Sequence, residues 1–335
     1  MIDHLEGMNT EGVQFDVVGI GNALVDVIAH ATDDFLTEHD LTKGWMDLID
    51  TDRAVMLYQA LGSAVEMSGG SAANTMCGVA SFGGTAAYIG KVADDELGRV
   101  FGHDLLAVGV RFSAPGNDTG VPTGRCIIVV TPDAERTMNT YLGASSFLGV
   151  PDLDEDTIAT GQVLYMEGYL YDRDEAKEAF RRAAQVAHDN GRMVSLTLSD
   201  SFCVDRHRDD FRDLVSDEVD LLFGNDAELT SLYQTDTFFE AVVELRRHCR
   251  FAAITVGSKG SIIVTPDHLL EVPAKSVGKV LDTTGAGDLY AAGFLRGITT
   301  GESLERCGEL GSIAAAEVIG HVGPRPLVEL RTLVV

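Results

Sequence analysis

Asp282-Thr283-Thr284-Gly285-Ala286-Gly287-Asp288 packs two acids, two hydroxyls and two glycines into one short stretch. Lys279-Val280-Leu281 before it reads as a short strand, and apolar residues at 289, 290, 294, 295 and 298 after it recur at helical spacing. A glycine turn that opens a helix leaves backbone N–H groups unpaired at the positive end of the helix dipole, where a phosphate or a developing oxyanion can sit. Gly285 and Gly287 let that anion approach with no Cβ in the way. Asp288 would repel the same anion, which leaves two readings of it. It takes a proton from an attacking hydroxyl, or it complements the helix terminus as first-turn acids do. The phosphate loop G-x-x-x-x-G-K-[ST] is absent, and Gly257-Ser258-Lys259-Gly260-Ser261 has the wrong spacing for it.

The elements that must position these groups belong to a chain of 335 residues, 45% hydrophobic and 23% charged, which suits one large core and a smaller unit. The net charge of −27, from 52 acids against 25 bases, excludes nucleic acid and anionic membrane surfaces as partners. The five cysteines are odd in number and scattered, so neither a disulfide framework nor a zinc site is expected, and the nine histidines show no metal-ligand spacing. The acidic start Met1-Ile2-Asp3-His4-Leu5-Glu6-Gly7 lacks an apolar run, and no apolar stretch is long enough to span a bilayer; a cytoplasmic protein is expected.

Residues 15–21 read as a buried first strand that delivers Asn22, Leu24 and Asp26 to its carboxyl end, where ligands bind in open α/β sheets. Its G-x-G tempts toward a dinucleotide fold, but Leu24 fills the third glycine position. Residues 32–66 mix short helical patterns with a strand near 45–49 and interrupt any regular alternation, as an insertion covering a site would. Gly69-Gly70 then leads through Ser71 to Asn74 in the first turn of a helix of small residues, a place for close backbone contact with a ligand and an amide for hydroxyls. A hairpin is predicted from 119–131 and 136–142, with Pro132-Asp133-Ala134 as its turn. From 163 onward strands and helices alternate, which implies a mainly parallel sheet covered on both faces. The predicted division is a large α/β unit of 15–21, 69–117 and 144–330, with a discontinuous lid of 22–68 and 118–143.

Together, the 282–288 stretch and the Gly69-Gly70 to Asn74 stretch resemble the ribokinase-like, or PfkB, family of carbohydrate and nucleoside kinases, over 15–327. The resemblance implies a three-layer α/β/α fold with a mainly parallel sheet and a small β-rich lid. It implies transfer of the γ-phosphate of ATP to a primary hydroxyl, with Asp288 as base, the backbone N–H groups of Ala286, Gly287 and Asp288 stabilising the transferred group, and Gly285 in the same catalytic turn. Arg136 resembles a lid arginine reaching toward that phosphate. Asn225 and Glu228 resemble an N-x-x-E element that holds Mg²⁺ through water. Thr255, Gly257 and Gly260 resemble the nucleotide-side turn, with Gly311, Ala314 and Ala315 beside the ATP base, and Asp282 and Thr284 are expected at a monovalent cation, K⁺.

Asn22-Ala23-Leu24-Val25-Asp26 is most similar to the adenosine kinases of the family, which implies that Asn22, Leu24, Asp26, Gly69, Gly70 and Asn74 line the acceptor. Tyr169 then either faces an adenine or packs in the core or lid. A nucleoside, adenosine, is the expected acceptor, with ribose, fructose or a related sugar as the alternative, and a monomer or homodimer is expected. A non-catalytic sensor of the same fold would not need Asp288, and a dehydrogenase would need the missing third glycine.

Overall fold

The computed structural model describes residues 11–112, 120–133 and 135–334. Its main sheet has nine strands in the order Leu269–Val272, Ser261–Val264, Phe251–Thr255, Leu221–Asn225, Met193–Thr197, Gly161–Glu167, Phe15–Ile20, Ala86–Ile89 and Val110–Phe112. All neighbours from Phe251–Thr255 to Val110–Phe112 run parallel, and the other two strands add an antiparallel hairpin edge. Because successive side chains of a strand point to opposite faces, Val17 enters one hydrophobic core and Val18 the other. Helices Ser71–Ser81, Glu96–Ala107, Ala286–Thr299 and Leu304–Val318 cover the first face, and Asp174–Asp189, Ser201–Asp217, Asp226–Tyr233 and Phe238–Leu245 the second. This is the expected three-layer ribokinase-like architecture.

Phe15–Ile20 pairs with Ala86–Ile89 on one side and with Gly161–Glu167 on the other, so the order of strands reverses at it. A crevice therefore opens at the carboxyl ends of the central strands, the usual ligand position in such sheets.

A second sheet, in the order Met46–Leu48, Arg136–Tyr141, Gly124–Val130, Leu24–His30 and Ala64–Gly69, stands at that end. Period-two alternation gives it two faces. Ile127 and Val129 pack with Leu36 and Leu57 of helices Asp33–Glu38 and Thr51–Ala60, while Cys126 and Ile128 join Met138 on the face that lines the crevice. Both helices start at side-chain caps, from Thr32 and Asp50.

The residues just after the first strand form a strand of their own: Leu24–His30 is antiparallel to Ala64–Gly69 and parallel to Gly124–Val130. Lys279-Val280-Leu281 is not a strand, since only Leu281 is anchored, its N–H donating to the Ile319 carbonyl at 2.8 Å, and Val280 and Leu281 stay about half exposed. The expected hairpin pairs Gly124–Val130 with Arg136–Tyr141, while Ala134 of its turn and the acidic start at 1–7 lie outside the described residues. No described helix is long and apolar enough to cross a membrane.

Candidate active site

The helix Ala286–Thr299 begins behind Gly285, whose φ of +79° is left-handed and whose added Cβ would lie 2.7 Å from the Pro324 backbone. Only glycine serves there. The Ala286 N–H is used inside the turn, donating to the Thr283 carbonyl at 3.2 Å, so it is not the free donor expected. Among the described residues the Gly287 and Asp288 N–H groups have no acceptor, and a Cβ at Gly287 would meet nothing within 4 Å. Two open donors at a helix N-terminus form an anion seat.

Asp288 stands beside that seat. Its Oδ1 accepts from Ser71 Oγ at 2.7 Å and its Oδ2 from Asn74 Nδ2 at 3.0 Å. Burial raises its carboxyl above the ordinary aspartate range, and these two bonds and the charge of Arg325 oppose the rise. Asn74 thus bridges Asp288 and Arg325, since its Oδ1 is also taken, by Arg325 Nε at 3.2 Å. Ser71 and Arg325, which sequence reading passes over, complete this group of hydrogen bonds around Asp288.

Asp26, on the strand Leu24–His30, is 8% exposed, and among the described residues its carboxylate has no hydrogen-bond partner. Burial pushes it up to about 6, against the pull of Arg325 and Arg136 and with a smaller push from Asp288. Gly69 is required beside it, because a Cβ there would sit 2.4 Å from Asp26 Oδ1. Gly70, at φ +95°, passes so close to Asn22 that a Cβ would lie 2.3 Å from the Asn22 carbonyl oxygen. Asn22 itself is fastened at both ends of its amide: Nδ2 donates to Glu167 Oε1 at 3.1 Å, and Oδ1 accepts from Ser145 Oγ at 2.9 Å. Glu167, pushed by burial to about 7, also accepts from the Ala72 N–H at 2.8 Å, so it joins the first strand to the helix that carries Ser71 and Asn74.

A cavity of about 400 Å³ is lined by Leu24, Asp26, Gly70, Asn74, Tyr169 and Asp288. It runs on into a space of about 170 Å³ between Tyr169, Phe202, Met46, Leu48 and Met138. A separate cavity of about 680 Å³ lies among Thr255, Gly257, Gly260, Val280, Ala315 and Ile319. The 400 and 680 Å³ cavities share Thr255, Thr283, Ala286, Gly287 and Tyr290, and Asp288 lines only the first. Two ligands can therefore meet over one anion seat with the carboxylate on one side.

Several expected positions fall elsewhere. Gly311 is a packing glycine, since its Cβ would meet the Tyr290 carbonyl at 2.7 Å, and Ala314 is fully buried, whereas Ala315 does line the 680 Å³ cavity, with Ser312 and Ala316 beside it. Asn225 lines the 400 Å³ cavity, and it caps its own helix together with Glu228. The Glu228 carboxylate accepts from the Asn225 N–H at 3.0 Å and from Asn225 Nδ2 at 2.5 Å, and burial raises it to about 7. Both oxygens are engaged, and no cluster of three metal-ligating side chains exists among the described residues. Glu228 therefore fits a divalent cation through water and not as a direct ligand.

Asp282 departs further from expectation. Its Oδ1 accepts from the Thr284 N–H at 2.9 Å and Thr284 Oγ1 at 2.6 Å, while its Oδ2 accepts from the Gly323 N–H at 3.0 Å and from Arg136 Nη1. Burial alone would raise this carboxyl, but those donors and the Arg136 charge hold it below the ordinary value. A guanidinium occupies the carboxylate intended for a monovalent cation. Arg136 itself, from the strand Arg136–Tyr141, is bound to Asp282 and, at 3.3 Å, to Thr284, not aimed at the cavity, and its Nε and Nη2 are buried without partners. Turnover in potassium and in tetramethylammonium buffers of equal ionic strength should coincide; marked activation by potassium would restore the cation reading.

The pfkB family carbohydrate kinase model matches residues 42–330. The chain belongs to that family. The solved structure of adenosine kinase from Sinorhizobium meliloti is 52% identical, with a TM-score of 0.88 over 96% of this chain and 98% of that one. A probable sugar kinase protein from Rhizobium etli CFN 42 is 49% identical, also with a TM-score of 0.88 over 96% and 98%. Among curated relatives, adenosine kinase of Saccharomyces cerevisiae is 27% identical over 92% of this chain and 96% of its own. As a pfkB family member with these neighbours, the chain is an ATP-dependent kinase acting on a hydroxyl group.

Proposed function

We propose that this kinase transfers the γ-phosphate of ATP to the primary hydroxyl of adenosine in the cytoplasm, with Mg²⁺ accompanying the nucleotide. The observation that carries the acceptor is Asp26, a buried carboxylate without a hydrogen-bond partner among the described residues, which shares its cavity with Asp288, Tyr169 and the aromatic extension to Phe202. A buried unpaired carboxylate is costly unless a ligand donates to it, and a pair of ribose hydroxyls does so. The apolar space beyond suits a nucleobase, which a free sugar would leave empty. The likeness to the S. meliloti adenosine kinase supports the same acceptor.

Asp288 accepts the proton of the primary hydroxyl as its oxygen attacks the γ-phosphorus, and the bond from that phosphorus to the bridging oxygen of ADP breaks. The Gly287 and Asp288 N–H groups hold the charge that develops on the transferred group. Mg²⁺ bound with the nucleotide would supply charge neutralisation of the phosphates, and Glu228 would hold it through water. Thr255, Gly257, Gly260 and Ala315 hold the nucleotide in the 680 Å³ cavity. The second sheet keeps water, a competing acceptor, away from the phosphate, and Arg136 fastens that sheet to the anion turn.

ADP release measured against adenosine, inosine, guanosine, ribose and fructose tests the proposal: adenosine should dominate, and robust ribose or fructose turnover with none on adenosine would end it. Tyr169 is held by its own bonds to Ser199, the N–H to Oγ at 3.1 Å and the hydroxyl to the carbonyl at 3.3 Å, so its ring is fixed at the cavity wall. Stacking on a base contributes about 1–3 kcal/mol, so Tyr169→Ala should raise KM for adenosine about tenfold or more and leave weak ribose activity nearly unchanged. Equal losses on both substrates would mean damaged packing.

A further inference from the structure

The segment after the last long helix wraps the anion turn with three consecutive residues. The Gly323 N–H donates to Asp282 Oδ2 at 3.0 Å, Pro324 packs behind Gly285, and Arg325 Nε donates to Asn74 Oδ1 at 3.2 Å. Arg325 has no ion pair with a carboxylate among the described residues, and its Nη2 is buried without a hydrogen-bond partner. An arginine placed for stability in a chain of net charge −27 would find an acid; this one has its charge left over.

We propose that Arg325 is a positioning residue for phosphoryl transfer, fixing the Asn74 amide so that Nδ2 meets Asp288 and supplying the positive charge that faces the buried base. The proposal rests on Asp288 being that base. With Oδ1 of Asn74 held by the guanidinium, the amide cannot flip without setting two donors, Nδ2 and Arg325 Nε, against each other. The other titratable groups acting on or responding to Asp288 are Asp26, Glu167, Tyr165 and Tyr169, none of them positive. Arg325 is the cation that opposes the effect of burial on Asp288. Removing it should leave the base protonated to higher pH.

The experiment is the pH dependence of kcat on saturating adenosine and ATP for the parent, Arg325→Ala and Arg325→Lys, with a thermal melt of each. Arg325→Ala should shift the acid limb of kcat upward by about one unit, so that the loss is about tenfold on that limb and activity recovers as the pH rises. KM for ATP should hardly change. Arg325→Lys keeps the charge, so its limb should stay near that of the parent even if the amide is held less well. In an Asn74→Ala background the further loss from Arg325→Ala should shrink, because the amide to be positioned is gone. A limb unmoved in Arg325→Ala, or a loss equal at every pH, would overturn the proposal. Should the Ala variant not fold, an Arg325→Lys limb displaced as if the charge were absent would overturn it too. Failure of the underlying reading is seen separately, as full turnover by Asp288→Asn.

Discussion

Asp288→Asn should keep the fold and bind ATP with nearly unchanged affinity while turnover falls by about 10²- to 10⁴-fold, the range expected for losing a general base. The substitution is close to isosteric, and the amide oxygen can still accept from Ser71 Oγ, which donates to Oδ1 at 2.7 Å in the parent. The cost is chemical: an amide cannot take the hydroxyl proton, and its NH₂ faces the Nδ2 of Asn74, a donor against a donor. Nucleotide binding should survive because the 680 Å³ cavity does not include residue 288. Steady-state turnover with a parallel ATP titration checks both halves. Turnover within about threefold of the parent would remove Asp288 from the role of base.

Asp26→Asn should weaken adenosine through KM while leaving kcat close to the parent value. Hydrogen bonds to a charged acceptor contribute roughly 1.5–3 kcal/mol, so the loss in kcat/KM should be about tenfold or more. The pH dependence carries a sign. Burial raises Asp26 to about 6, so above that pH the parent presents a carboxylate, and below it a neutral acid much like the variant. The advantage of the parent should be full at pH 8 and shrink as the pH falls through about 6. An advantage constant from pH 5 to 8 would show that the charge of Asp26 does not bind the acceptor.

What could be read from sequence alone was what depends on backbone chemistry over a few residues. The turn at 282–288 and the Gly69-Gly70 pair announce themselves because glycine is demanded by left-handed φ at 70 and 285 and by close approach at 69. The alternating strands and helices were legible because both faces of the main sheet are buried, making its strands near-continuous apolar runs. The strand Leu24–His30 was not, since Asp26 and the neighbouring glycines and asparagine resemble a loop until the pairing with Gly124–Val130 is known. Ser71 and Arg325 carry no local signal at all: a serine and an arginine gain meaning only from the groups they touch. The same is true of Asp282, whose guanidinium partner comes from a strand far away in the chain.

Ser71 and Asp288 are 217 residues apart in the chain, and Asn74 and Arg325 are 251 apart. Contacts of such separation form late, because the loop between them must close before they repay its entropy. During synthesis the glycine turn and the helix with Asn74 can each take shape while the catalytic constellation is still missing its last charge. A nascent chain stalled before residue 325 should therefore be largely folded yet catalytically weak, and activity should appear only once that residue can reach Asn74, rather than grow with chain length.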